Sequence, residues 1–189
     1  MTLRRGFKTE ANDVAREVRA TLGLRLADPL DPWALARDLG VPLVPLSEFR
    51  RDAGIASRHF ATMERGAFSA MTVFDGSRRM IVYNDAHSRG RQASDIAHEL
   101  SHALLQHRPG AALDVRGCRD WDQEQEEEAD WLAGALLVSE EAALVIARSG
   151  AATHDAALSY GVSPRMLQFR LNMTGARRRA ALGKRRRRP

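Results

Sequence analysis

The chain has 189 residues, 44% of them apolar and 28% charged, the make-up of a globular protein long enough to bury a core. No run of 18 apolar residues occurs, so no bilayer-spanning helix and no membrane partner is expected, and the basic opening before Glu10 lacks the apolar stretch of a secretion signal. The lone Cys118 excludes an internal disulfide and fits a reducing, cytoplasmic setting. The net charge of +5 is unevenly spread: eight of the 29 basic residues and no acidic residue fall in 177–189, which leaves a mildly acidic body. Residues 176–189 are therefore expected to be a disordered basic tail, either simply solvated or in non-specific contact with nucleic acid.

In chain order, residues 8–22 predict a helix with Val14, Val18 and Leu22 on its apolar side and Glu10, Arg16, Glu17 and Arg19 toward water. Asp31 then caps a second helix with Pro32 at its first position, burying Trp33, Leu35, Ala36 and Leu39, and Gly40 ends it. Residues 41–46 are β-prone, but Pro42 and Pro45 confine them to a sheet edge. Residues 47–67 carry mixed signals, including a loop. Two strands, 68–74 and 79–83, follow around Asp75-Gly76-Ser77, a hairpin signal.

A helix capped by Asp85 or Ser88 then runs to about His107, before Pro109-Gly110. Residues 111–120 read as a connection. The next helix, from Asp122 or Gln123 to Val138, is acidic in its first turns, as the helix dipole favours, and apolar nearly all round in its second half. A helix at 140–147 and a pair at 153–160 and 163–172 complete the body. The order is α+β: a small antiparallel sheet, a helical core and a C-terminal helical pair.

The chemistry sits in His98-Glu99-Leu100-Ser101-His102, an H-E-x-x-H pattern on a helix whose Ile96, Leu100, Ala103 and Leu104 keep helical spacing. Residues four apart lie about 40° apart around the axis and roughly 6 Å along it, so two imidazoles can share one Zn²⁺. Glu99 falls to one side of that pair, where a carboxylate can take a proton from activated water. An ordinary amphipathic helix fits the same letters, so the pattern needs a third ligand. Carboxylates at 124 and 126–128 are available, and the residues alone favour Glu126 over Glu127 only modestly. Glu126 and Asp130 share a face with Ala129 and Ala133, whose small side chains allow close approach. Asp130 is then placed to hold the far nitrogen of a ligating histidine. His107, five residues past His102, is expected to point away, about 140° round the helix.

These residues carry a family resemblance. The linked runs Ala97–His102 and Glu126–Leu137, with Arg91, Ile81, Asn84, Tyr160–Ser163, Arg170-Leu171 and Arg5–Thr9, resemble the ImmA/IrrE-type metallopeptidases. The resemblance spans roughly 5–175 and implies an H-E-x-x-H zincin core in a zinc domain at 1–150, with 151–175 a helix-turn-helix-like extension packed on it. It implies Glu126 as the third zinc ligand. It also implies a cytoplasmic zinc endopeptidase whose well-known relatives cleave a helix-turn-helix repressor and so derepress stress or mobile-element genes. A third histidine six after the second, the metzincin arrangement, is absent.

The expected reaction places Zn²⁺ on His98, His102 and Glu126, with Glu99 as general base. An extended substrate lies along the strand ending at Tyr83 and Asn84, which align it. Tyr83, His87, Arg91 and Tyr160 are all open as partners for the oxyanion. The alternative is a DNA-binding or repressor-binding regulator that uses the C-terminal pair and the basic tail. Against it, Leu167, Phe169 and Leu171 leave little polar surface for reading bases. A zinc-stabilised scaffold without catalysis gives Glu99 no purpose.

Overall fold

Local signals set most element boundaries in the computed structural model, which describes residues 3–50, 68–76, 78–107 and 122–185. The Asp31 side chain accepts the Trp33 N–H and Pro32 follows it, so helix α2 (Pro32–Asp38) begins where its cap predicts. Before it, α1 (Phe7–Thr21) buries Phe7, Ala11, Ala15 and Val18. Leu39 lies beyond the end of α2 and is exposed, not buried as expected. The expected connections across 51–67 and 111–120 lie outside the described residues, as do Cys118 and residues 186–189.

Three short strands form one sheet in the order β1-β3-β2. Strands β2 (Ala70–Asp75) and β3 (Arg78–Tyr83) make the expected hairpin, with Asp75 opposite Arg78 and Gly76 at φ 61°. Strand β1 (Leu43–Pro45) takes the other side of β3, and it runs parallel. The sheet is therefore mixed and not antiparallel. The long stretch between Pro45 and Ala70 gives the chain room for the crossover that a parallel pair requires. Tyr83 pairs with Pro45 on one side and Ala70 on the other, so β3 is the central strand and not the open edge expected to take substrate. Among the described residues, the sheet's two edges are β1 and β2.

The helical half is built on α3 (Arg89–Leu104) and α4 (Gln123–Leu137), which pack against each other. Each divides its faces between two apolar clusters. Ile96 and Leu100 of α3 join Trp131, Leu132, Ala135 and Leu136 of α4 around α1, while Ala93 and Ala97 join Ala133 and Leu137 on the other side. The second cluster also takes α5 (Glu140–Ser149), α6 (Thr153–Ser159) and α7 (Pro164–Met173) through Ala142, Ile146, Ala157, Leu167 and Leu171. A side chain at Gly90 would meet the backbone of Val162 and Ser163 at 2.8–2.9 Å, so the turn of the helical pair rests directly on the first turn of α3.

Two arginines finish the end of α4. Arg19, expected at the surface, is wholly buried: Nη2 donates to Leu136 O at 2.7 Å, and Nη1 reaches Ala135 O and its own helix at Ala15 O. Arg170 Nε donates to Val138 O at 2.9 Å, also from full burial. Carbonyls at a helix C-terminus have no partners within the helix, and a cation there satisfies both them and the dipole. Amphipathic periodicity assigned Arg19 to water because it weighs charge and not the acceptors nearby.

The basic tail also needs correction. Residues 176–185 form α8 (Ala176–Arg185), and it packs on α5. Ala176 and Ala180, four apart, are buried on one side. Arg177 donates to Gln168 Oε1 at 2.9 Å, and Arg179 lies 3.6 Å from Glu140 Oε1. The charge count registers the arginines but not the small residues between them that allow a helix to dock.

Candidate metal centre

The close packing of α3 on α4 brings the sequence-predicted ligands together. Ala129 and Ala133 are buried between the helices, which lets side chains from both reach one point. His98 Nε2 lies 3.1 Å from His102 Nε2 and 3.2 Å from Glu126 Oε2, and His102 Nε2 lies 3.7 Å from Glu126 Oε1. One ligand atom from each residue falls within 4.8 Å of the others. A tetrahedral ion with bonds of about 2.0–2.1 Å separates its ligand atoms by about 3.3 Å, so the set fits a zinc-sized ion. Its side chains are 17–23% exposed, which leaves the point reachable from solvent.

Three consecutive glutamates go three ways. Glu126 faces the histidines, Glu127 accepts a hydrogen bond from Gln123, and Glu128 turns to the opposite flank. Asp122, the N-cap, orients this turn by accepting the N–H groups of Glu124 and Gln125. The geometry thus separates Glu126 from Glu127, which residue spacing alone does not.

The electrostatics of the cluster are dominated by carboxylates around the histidines. Burial depresses the His98 imidazole, yet hydrogen bonds to Asp130 and Glu126 outweigh it and hold the pKa at about 10. Burial raises the Glu126 carboxyl, but His102 and His98 more than offset this and bring it well below the usual carboxylate range. Asp130 Oδ1 accepts from His98 Nδ1 at 2.9 Å, although this carboxylate is largely exposed.

Glu99 is buried beside these ligands, and Thr72 Oγ1 on β2 donates to its Oε2 at 2.6 Å. Thr72 has no motif around it; only the hairpin register, opposite Ile81, places it above α3. Asn84 is buried, with its Nδ2 donating to Phe68 O and its N–H to Ser69 O, so it anchors the entry to β2. Tyr83 packs edge-on against Trp33. Of the other residues considered for the oxyanion, Tyr160 donates its hydroxyl to Ala27 O and His87 Nδ1 is bound to Asp95. Arg91 Nη2 donates to Ser69 Oγ at 3.2 Å.

His107 is the main departure. Helix α3 stops at Leu104, short of the expected end, and Gln106 at φ 54° turns the chain back. His107 Nδ1 comes within 2.9 Å of His102 Nδ1 instead of pointing away. Burial first, and the neighbouring His102 second, push the His107 imidazole down. No glycine marks this stop, so the sequence carries no signal for it.

A peptidase family model described as the IrrE N-terminal-like domain matches residues 49–172, a span that contains His98, His102 and Glu126 together with Thr72 and Glu99. No curated protein and no solved structure matches the chain. Among the described residues, no helix is long and apolar enough to cross a membrane.

Proposed function

We propose that this chain, which belongs to the IrrE N-terminal-like domain family of peptidases, is a zinc-dependent endopeptidase that acts in the cytoplasm on a helix-turn-helix repressor. The observation that carries the chemistry is the convergence of His98, His102 and Glu126 next to a buried Glu99 already held by Thr72. Zinc held by those three side chains supplies the Lewis acidity that makes water nucleophilic near pH 7 and polarises a carbonyl. Thr72 fixes one oxygen of Glu99 and leaves the other to accept the proton of the attacking water. Glu99 then gives that proton to the amine nitrogen as the peptide C–N bond breaks. Strand β2 carries Thr72 and has an open edge among the described residues, so an extended peptide adding to that edge passes directly by Glu99. Asn84 contributes by anchoring the start of this strand.

The repressor substrate rests on the resemblance to ImmA/IrrE-type enzymes. The competing reading, a DNA-binding regulator, is disfavoured because Leu167 and Leu171 are buried and the turn of the helical pair sits on Gly90. The test is co-expression with a helix-turn-helix repressor encoded beside the gene. Wild type shortens the repressor; Glu99→Gln, which keeps the size of the side chain but accepts no proton, leaves it intact and lowers peptide cleavage by at least about 100-fold. Equal release of an uncut repressor from DNA by both proteins would replace the peptidase reading with a binding one.

A further inference from the structure

The turn that ends α3 acts on one of the two histidines. Gln106 N–H donates to Ala103 O at 3.2 Å and His107 N–H to His102 O at 3.0 Å, the Schellman pattern that closes a helix. Gln106 occupies the left-handed position that glycine usually fills, and among the described residues it is the only non-glycine with positive φ. Through this turn His107 folds over its own helix and meets His102 with backbone and side chain alike. Its Nε2 lies 3.4 Å from Glu128 Oε2, and Glu128 Oε1 lies 2.7 Å from Arg4 Nε. The His107 and Glu128 side chains are each only 8% exposed, while Arg4, 44% exposed, closes the chain at the surface.

Proton placement gives the chain a direction. Two Nδ1 atoms 2.9 Å apart hold one proton between them. His102 presents Nε2 to the ligand cluster, and an imidazole that ligates through Nε2 carries its proton on Nδ1. With a metal on Nε2, His102 would be the donor and His107 the acceptor. His107 must then carry its own proton on Nε2, where the acceptor-only Glu128 receives it and Arg4 balances the carboxylate.

We propose that His107 is a positioning residue for the metal centre: by accepting the Nδ1 proton it sets the tautomer and ring orientation in which His102 offers Nε2. Glu128 and Arg4 hold His107 in the matching tautomer. The inference rests on the metal site proposed above and assigns it an outer partner from the N-terminal segment, beyond the span that the family model matches.

The test is the zinc affinity of the full chain, read by competition with a chromophoric chelator. His107→Ala removes the acceptor and is expected to weaken binding by about 10–100-fold, the usual cost of losing such an outer partner. His107→Asn places an amide oxygen near the former Nδ1, so its affinity is expected to return close to wild type, although its link to Glu128 is gone. Thermal unfolding of both metal-free variants controls for packing, since each removes part of the same ring. Wild-type affinity in His107→Ala overturns the proposal, as does an equal loss in both variants, which would assign the effect to packing. Failure of wild type itself to bind one zinc would overturn the underlying metal reading instead, and the inference with it.

Discussion

The two histidines of the H-E-x-x-H pattern lie one helical turn apart, yet their surroundings differ. His98 leans on two carboxylates, Glu126 and the largely exposed Asp130, which together keep a proton on it up to about pH 10. His102 leans on His107, a half-buried imidazole pushed down by burial first and by the neighbouring His102 second. One histidine is held by carboxylates, the other by contact with a second imidazole. The difference teaches that a symmetric motif need not make a symmetric site: α4 alone supplies the partners on one flank, while on the other its Glu128 acts together with the end of α3 and the N-terminal segment.

The largest effect expected is the loss of either flank's ligand itself. His102→Ala or Glu126→Ala should abolish stoichiometric zinc in the purified protein by elemental analysis. Full zinc in either variant would place the metal elsewhere and dissolve the comparison.

Next in size is proton release on the His98 side. The imidazole is protonated below about pH 10 in the metal-free protein, and a ligating nitrogen must be unprotonated, so zinc expels that proton on binding. Affinity should accordingly rise with pH, about tenfold per unit between pH 6 and 8 for one proton released. Calorimetry in two buffers of different ionisation heat reads the proton count. A count of zero would mean that His98 is already neutral and that the carboxylates do not act as described.

The smallest effect concerns Asp130. Its carboxylate holds His98 at 2.9 Å but is 64% exposed, so water can take its place. Asp130→Ala should weaken zinc binding by about tenfold or less, the low end for an outer partner. A larger loss for Asp130→Ala than for His107→Ala, in one chelator titration, would reverse the ranking of the two flanks.

The parts of this arrangement that local chemistry specifies were legible in the sequence. Periodicity at four residues identifies His98 and His102 as neighbours, Asp31-Pro32 marks a helix start, and Gly76 marks the hairpin. The parts that depend on long-range packing were not. Arg19 is buried because the end of α4 presents carbonyls to it, and nothing near Arg19 in sequence announces them. The parallel pairing of β1 depends on a crossover, and Thr72 reaches Glu99 only through hairpin register. Continuing α3 at its regular period would carry His107 away from His102. A glutamine in a left-handed position ended it, where the usual glycine would have been visible.

Zinc-edge X-ray absorption on the stoichiometrically loaded wild-type protein tests the central claim most directly, because it reads the ligands themselves. Two imidazole nitrogens and carboxylate oxygen should scatter at about 2.0–2.2 Å, with no sulfur, and Glu99→Gln should leave that shell unchanged. A sulfur contribution at about 2.3 Å would bring in Cys118 and contradict a site built from His98, His102 and Glu126.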